Sequence, residues 1–206
     1  MENYRRQKIL NAAYEVIKEE GLPFLSYDSI SNHSGVSRQL IRYYFASKDD
    51  LMIAICDLLA TAYRETLVDV ARGSMSDSKG RLEYLLDFYF DFLDGKKKPK
   101  DDQIYDAMMS LAAGSPAVQD NLRAQYCLLG NVMAHEISIE YPKMSIPDAN
   151  QLSYLFVSFM YGHWKMVASL GLSEKHNQIT RKAIDRLIES FLRKPSKPSE
   201  QIDVWL

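Results

Sequence analysis

Residues 26–51 read SYDSISNHSGVSRQLIRYYFASKDDL, and their punctuation decides the fold. Ser26 predicts the N-cap of a short helix, with Asp28 in the first turn where a carboxylate suits the helix dipole. Gly35 predicts a tight turn that needs a positive φ. Ser37 then caps a second short helix carrying basic and aromatic residues. Ser47-Lys48-Asp49-Asp50 matches the S-x-x-[DE] capping box that opens a third. Helix, glycine turn, helix is the order of parts in a helix-turn-helix, whose second helix enters the major groove of DNA.

Working outward, helical periodicity dominates and no hairpin signal stands out. A first helix runs from about Asn3 to Glu20, with Ile9, Ala13, Val16 and Ile17 as its inner stripe and Gly21 as its C-terminal cap. The helix that begins at Ser47 extends to about Arg72. Further helices are expected near 78–94, 102–113, 116–141, 147–170 and 174–193, separated by Gly95, Pro99, Gly114-Ser115-Pro116, Pro142, Pro147 and Gly171. The fold class is all-α. A three-helix helix-turn-helix domain is expected over 1–47, a helical ligand-binding and dimerisation domain over 48–194, and a loosely ordered tail over 195–206.

The chain has 206 residues and a formal net charge of -2, so it is not a basic nucleic-acid binder along its whole length. Of its 25 basic and 27 acidic residues, seven and five lie in 1–48, leaving 18 and 22 for the rest. A mildly basic head on an acidic body suits a protein that touches phosphates with one end. Cys56 and Cys127 form no metal spacing and read as buried free thiols in a reducing cytosol, which gives a cytoplasmic location. MENYRRQKIL lacks the apolar core of a signal peptide. The apolar run Leu152–Leu172 has His163 and Lys165 in its middle, which points to a buried helix rather than a membrane span. There is no G-x-S-x-G, P-loop or G-x-G-x-x-G, and His135-Glu136 lacks a second histidine four residues on. No enzyme, cofactor or metal site is expected.

On the second short helix, Val36, Leu40 or Ile41, and Phe45 can face inward against Ile30. Ser37, Arg38, Gln39, Arg42 and Tyr43 are left outward. Arginine makes bidentate contacts to guanine and glutamine to adenine. The hydroxyls of Ser26, Tyr27 and Tyr44, the Lys48 ammonium, and the helix-start amides at Ser47 and Lys48 suit phosphate oxygens. The Arg6–Gly21 helix, Ile30, Gly35-Val36-Ser37, Tyr44-Phe45 and Ser47-Lys48-Asp49-Asp50-Leu51 together resemble the N-terminal DNA-binding domain of the tetracycline-repressor (TetR) family of bacterial transcription regulators. Arg42, Gln39 and Ser34 depart from the tyrosine, glycine or alanine, and alanine frequent in that family. The resemblance implies a homodimer, a C-terminal ligand-binding helical domain, and release of a palindromic double-stranded operator when ligand binds. A constitutive DNA-binding regulator without effector is the alternative.

In the body, Tyr89, Phe92, Tyr105, Met108, Met109, Tyr126, Met133, Phe156, Phe159, Met160, His163 and Trp164 supply the mix of aromatics and methionines that can line an apolar pocket, although ordinary core is the simpler use of most of them. Few charges fall on inner faces, so a mainly apolar effector, neutral or cationic, is expected, with Arg123 the candidate partner for an anion. Around Leu152, one helix side carries Phe156, Phe159, His163 and Leu170. The other carries Tyr154, Val157, Ser158, Tyr161, Lys165 and Ala168. A helix apolar on both sides needs a second partner layer. With Gly162 allowing close approach, and with Ile184, Leu187, Ile188 and Phe191 on the last helix, this predicts a symmetric dimer through a four-helix bundle. Asp87, Asp91 and Asp94 read as a solvated acidic face, and Lys96-Lys97-Lys98 with Lys100 as a solvated run.

Overall fold

The computed structural model describes residues 2–73, 80–93, 101–194 and 204–205. Among them it has nine α-helices, two short 3-10 turns and no strand. The helices are α1 Glu2–Glu19, α2 Tyr27–Ser34, α3 Arg38–Tyr44, α4 Lys48–Gly73, α5 Arg81–Tyr89, α6 Asp102–Ala112, α7 Pro116–Glu140, α8 Ile146–Ala168 and α9 Asn177–Arg193. The all-α expectation is met. Asp94, the 96–100 lysine run and residues 195–203 lie outside the described residues.

By compactness the chain divides into two units, each formed from two segments: Met1–Tyr63 with Lys100–Arg123, and Arg64–Pro99 with Ala124–Leu206. This division differs from the motif-based boundary at 47/48, because α6 and the start of α7 group with α1–α3 and the first part of α4.

In the first unit, Ile9, Leu10, Ala12, Ala13, Val16 and Ile17 put one apolar stripe of α1 in the core. The helix stops at Gly21, whose φ of +95° carries its amide back to the carbonyls of Val16 and Ile17. α1 packs on α2 and α6, and Ile30, Ile41, Met52, Ile55, Ile104 and Met108 close the core. Full burial of each such side chain contributes roughly 1.5–3 kcal/mol. Ser115 Oγ donates to Asp49 at 2.5 Å and Asn121 Nδ2 to Asp57 at 3.0 Å, fastening the start of α7 to α4.

In the second unit, α5 is apolar and buried around nearly its whole circumference. It ends at Tyr89 rather than near 94. Asp91 takes a φ of +58°, and the Phe92 amide donates to the Asp87 carbonyl at 2.9 Å. Asp87 and Asp91 therefore do not share a solvated helix face. Asp87 is buried, and Arg181 of α9 donates to it from Nε at 3.0 Å while also pairing with Asp185. A second tie joins Arg81 to the buried Glu136 of α7 at 2.6 Å.

Two helical faces differ from expectation. The buried arc of α8 is Ala149, Leu152, Ser153, Phe156, Val157, Met160, His163 and Trp164. Its centre lies near Ser153 and Met160 rather than Leu152, so Phe159 and Leu170 are exposed and Val157 is buried. On α9, Ile184 and Ile188 lie on the stripe that packs on α8 within this one chain, at 1% and 6% exposure. They are spent on the chain's own core and cannot also form a dimer face.

No described helix is long and apolar enough to cross a membrane. Cys56 is buried and Cys127 half-buried, and neither forms a disulfide among the described residues.

The Arg181–Asp87 pair is 12% and 11% exposed, so removing the guanidinium takes away a close counter-charge from a buried carboxylate. Arg181→Met is expected to lower the unfolding free energy by about 3 kcal/mol, and Asp87→Leu added to it to recover much of that loss. Urea unfolding of the two variants checks this.

Candidate nucleic-acid interface

The turn between α2 and α3 follows from three local choices. Ser26 accepts a hydrogen bond from the Ser29 amide at 3.1 Å, and the Ser29 hydroxyl answers the Ser26 amide at 3.0 Å, a reciprocal cap in which serine replaces the more usual glutamate. Gly35 sits at φ +63°, where its amide donates to the Ser31 carbonyl at 2.8 Å and reverses the chain. Ser37 accepts from the Leu40 amide at 3.4 Å to start α3. Val36, Ile41 and Phe45 then point inward and Leu40 is half-buried. Of the two inward alternatives, Ile41 takes the core.

Burying Ile41 and Phe45 leaves the opposite side of α3 in solvent. Ser37, Arg38, Gln39, Arg42 and Tyr43 are all exposed, Tyr43 at 73%. Tyr44 is half-buried, edge-on to the Tyr43 ring at 5.4 Å. The two arginines are steadied by the helix before them. Arg38 Nη1 donates to Asp28 at 2.7 Å, and the Arg42 guanidinium lies over the Tyr27 ring, 5.2 Å from its centroid. Tyr27 in turn points its hydroxyl at the Phe45 and Ala46 carbonyls, 3.0 and 3.2 Å away. Tyr27 is thus a brace as well as a surface group.

Three expected phosphate contacts change character. The Ser26 hydroxyl is engaged in the α2 cap. The Ser47 amide donates to Asp50 Oδ2 at 3.0 Å, closing the α4 capping box, so that amide is not open to an anion. Lys48 donates to the Leu22 carbonyl at 3.4 Å and remains exposed. It keeps further N–H donors for a phosphate. Sequence reading missed Asp28 as the partner of Arg38, Tyr27 as the seat of Arg42, and Arg6 of α1, whose guanidinium stands 5.2 Å from the centre of the Phe45 ring. No periodicity within one helix carries these pairings, because they cross the turn.

The expected ligand residues divide. Tyr105, Met108 and Met109 fall in the first unit. The second unit brings together Tyr89, Phe156, His163 and Trp164 through edge-to-face contacts, with Phe90 as an unforeseen member. Phe92 and Phe159 are exposed. Met133 and Met160 are buried there, and Tyr126 meets Tyr161 edge-on at 6.2 Å. The polar handles of this cluster are used internally. His163 Nε2 donates to Asn177 Oδ1 at 2.8 Å and Thr180 Oγ1 donates to His163 Nδ1 at 3.1 Å, a tautomer set by Asn177 Nδ2 donating to the Phe90 carbonyl at 3.0 Å. Trp164 Nε1 donates to the Tyr89 carbonyl at 2.8 Å.

Of the expected dimer residues, Tyr154, Ser158 and Lys165 are exposed and Tyr161, Gly162, Leu187 and Phe191 half-buried. Lys165 lies over the Tyr161 ring.

Comparison with known proteins agrees with this geometry. Residues 9–55 match the family described as bacterial regulatory proteins, tetR family. The HTH-type transcriptional activator FasR of Mycolicibacterium smegmatis is 30% identical over 94 residues, 44% of this chain and 41% of that protein. The HTH-type transcriptional regulator BetI 2 of Chromohalobacter salexigens is 33% identical over 81 residues, 39% of each chain. The match thus spans about two fifths of these curated relatives. A TetR transcription regulator from Haloarcula marismortui shares the fold with a TM-score of 0.75 at 21% identity, over 91% of this chain and 98% of that one. A Saccharomonospora viridis protein solved in complex with choline gives 0.73 at 19%, over 91% and 96%. The multidrug binding protein EbrR complexed with ethidium gives 0.59 at 22%, over 89% and 98%.

The Asp28–Arg38 pair restrains one of the side chains expected to meet DNA. Asp28→Asn is expected to raise non-specific duplex affinity at low salt by up to about 1 kcal/mol, the scale of an exposed ion pair, and to reduce discrimination between duplexes. Arg42→Ala is expected to weaken specific binding by about 1–3 kcal/mol. Competition titrations with specific and unrelated duplexes separate the two effects.

Proposed function

We propose, from the premise that residues 9–55 form a tetR-type N-terminal module, that this chain is a DNA-binding transcription regulator that represses by occupying a palindromic operator. It works in the cytoplasm as a homodimer. The observation that carries this reading is α3, a short helix whose buried Ile41 and Phe45 leave Arg38, Gln39, Arg42 and Tyr43 together on one exposed face. Two such helices, related by a two-fold axis, would read half-sites about 34–36 Å or a multiple of that apart.

The dimer would form through α8 and α9. The open side of α8 carries Ser158, Tyr161, Gly162 and Lys165, and a Cβ at Gly162 would meet nothing within 4 Å among the described residues, which leaves room for a neighbouring helix. α9 adds Leu187 and Phe191, with Ile179 and Leu192 exposed beside them. Tyr154 borders this face.

An effector that favours the wrong spacing of the two recognition helices would release DNA by its differential affinity for that state. We assign it to the apolar class, neutral or cationic. Arg181, the guanidinium set into the second unit, is already engaged by Asp87 and Asp185 and offers little to an anion. Choline and ethidium, the molecules bound in two proteins of like fold, are both cations. The internal use of His163 and Trp164 favours a second reading, a regulator with a closed core and no effector.

Mobility shifts with genomic fragments test the DNA reading directly. Binding is expected to fall steeply with salt, as counterion release requires. The Arg38→Ala/Arg42→Ala chain is expected to lose specific retardation, and unchanged retardation of every fragment would defeat the reading. Expression from the bound promoter should rise on deleting the gene; a fall would make the chain an activator. Thermal-shift screening with compounds paired by charge separates the two effector readings. Phe191→Asp is expected to give monomers by sedimentation and weaker operator binding with α3 intact.

A further inference from the structure

α7 is 25 residues long and keeps a glycine, Gly130, in its interior. Glycine there costs about 1 kcal/mol relative to alanine, so a packing reason is expected. The reason is Trp205. A Cβ built on Gly130 would lie 2.1 Å from Trp205 Cε2, 2.2 Å from Cζ2 and 2.5 Å from Cδ2, so the six-membered edge of the indole rests directly on the helix backbone. Gly162, the interior glycine of α8, has no such neighbour among the described residues.

The other end of the ring is held by polar chemistry. Trp205 Nε1 donates to Ser153 Oγ at 2.7 Å. Ser153 is completely buried in α8, and its hydroxyl proton goes to the Asn150 carbonyl at 2.8 Å, which leaves its lone pairs to accept. The Tyr154 ring stands against the indole with centroids 5.8 Å apart. The floor, the polar end and the wall all belong to the second unit. Trp205, which lies within the stretch expected to be loosely ordered, is thus held against α7 and α8.

We propose that Gly130, Ser153 and Tyr154 form a ring-binding socket separate from the buried His163–Trp164 cluster. Its resident ligand is the chain's own Trp205, and its external ligand class is a flat heteroaromatic with a ring N–H donor. Two features give the socket this selectivity. The missing Cβ admits only a thin, flat group, and a buried hydroxyl with its proton already committed demands a donor rather than an acceptor. In the resting chain Trp205 bridges α7 and α8 and keeps the socket filled, so an external ring enters only where Trp205 is absent.

The test uses the full-length chain, thermal melting, and indole as the probe. Gly130→Ala is expected to lower the melting temperature of the parent chain, because the added methyl collides with the indole. In a Trp205→Gly background the same change is expected to raise it, because alanine is the better helix former once the socket is empty. Indole is expected to raise the melting temperature of Trp205→Gly, to leave the parent unchanged, and to lose its effect when Gly130→Ala is added. A Gly130→Ala effect of the same sign in both backgrounds overturns the proposal. So does indole failing to act on Trp205→Gly, or acting equally on all chains. Acrylamide quenching of tryptophan fluorescence keeps the question open to test if Trp205→Gly does not fold. Trp164 is buried, so Gly130→Ala in the parent chain should expose one further tryptophan to quencher, and unchanged quenching overturns the proposal.

Discussion

The positive φ at Gly35 is the constraint on which the first unit turns. Without a left-handed residue after Ser34, α2 and α3 could not meet as they do, and Ile30, Ile41 and Phe45 could not share one core. An L side chain there would strain the backbone, even though the space beside Gly35 is open. The capping serines on either side make the reversal definite: each satisfies an amide that a helix end leaves without a partner. The exposed face of α3 is what remains once the apolar face has been buried.

That face is organised from behind. Tyr27 and Asp28, in the first turn of α2, lie against the two arginines of α3. A long guanidinium side chain loses rotamer freedom when it binds, and one already held in place loses less. The ion pair has the opposite electrostatic sense, because Asp28 places a negative charge where phosphates would come. Restraint and repulsion in one residue favour discrimination over bare affinity.

The second unit handles its polar groups differently. Its buried rings are joined by hydrogen bonds that fix each ring's angle: Trp164 to the Tyr89 carbonyl, His163 between Asn177 and Thr180, and Asn177 to the Phe90 carbonyl. The end of α5 and its trailing residues are thus tied to α8 and α9 by directional contacts, with the Arg181–Asp87 pair beside them. Apolar packing alone would leave the rotation of α8 less well determined, since that helix is apolar on more than one side.

Much of this was legible in the amino-acid order. Helix number, most helix ends, the caps at Ser26, Ser37 and Ser47, the reversal at Gly35 and the outward set on α3 all follow from local rules, because a cap or a stripe involves residues within four positions of one another. The end of α5 escaped, since Asp91 adopts a left-handed conformation that its residue type does not announce. The rotation of α8, the use of Ile184 and Ile188 in the chain's own core, and the Asp28–Arg38 pair escaped for another reason. Each depends on which neighbour an apolar or charged face meets, and periodicity records that a face exists without naming its partner. Gly130 is the sharpest case. Within α7 it reads as a weak point, and only the ring of Trp205, 75 residues further along the chain, gives it a purpose.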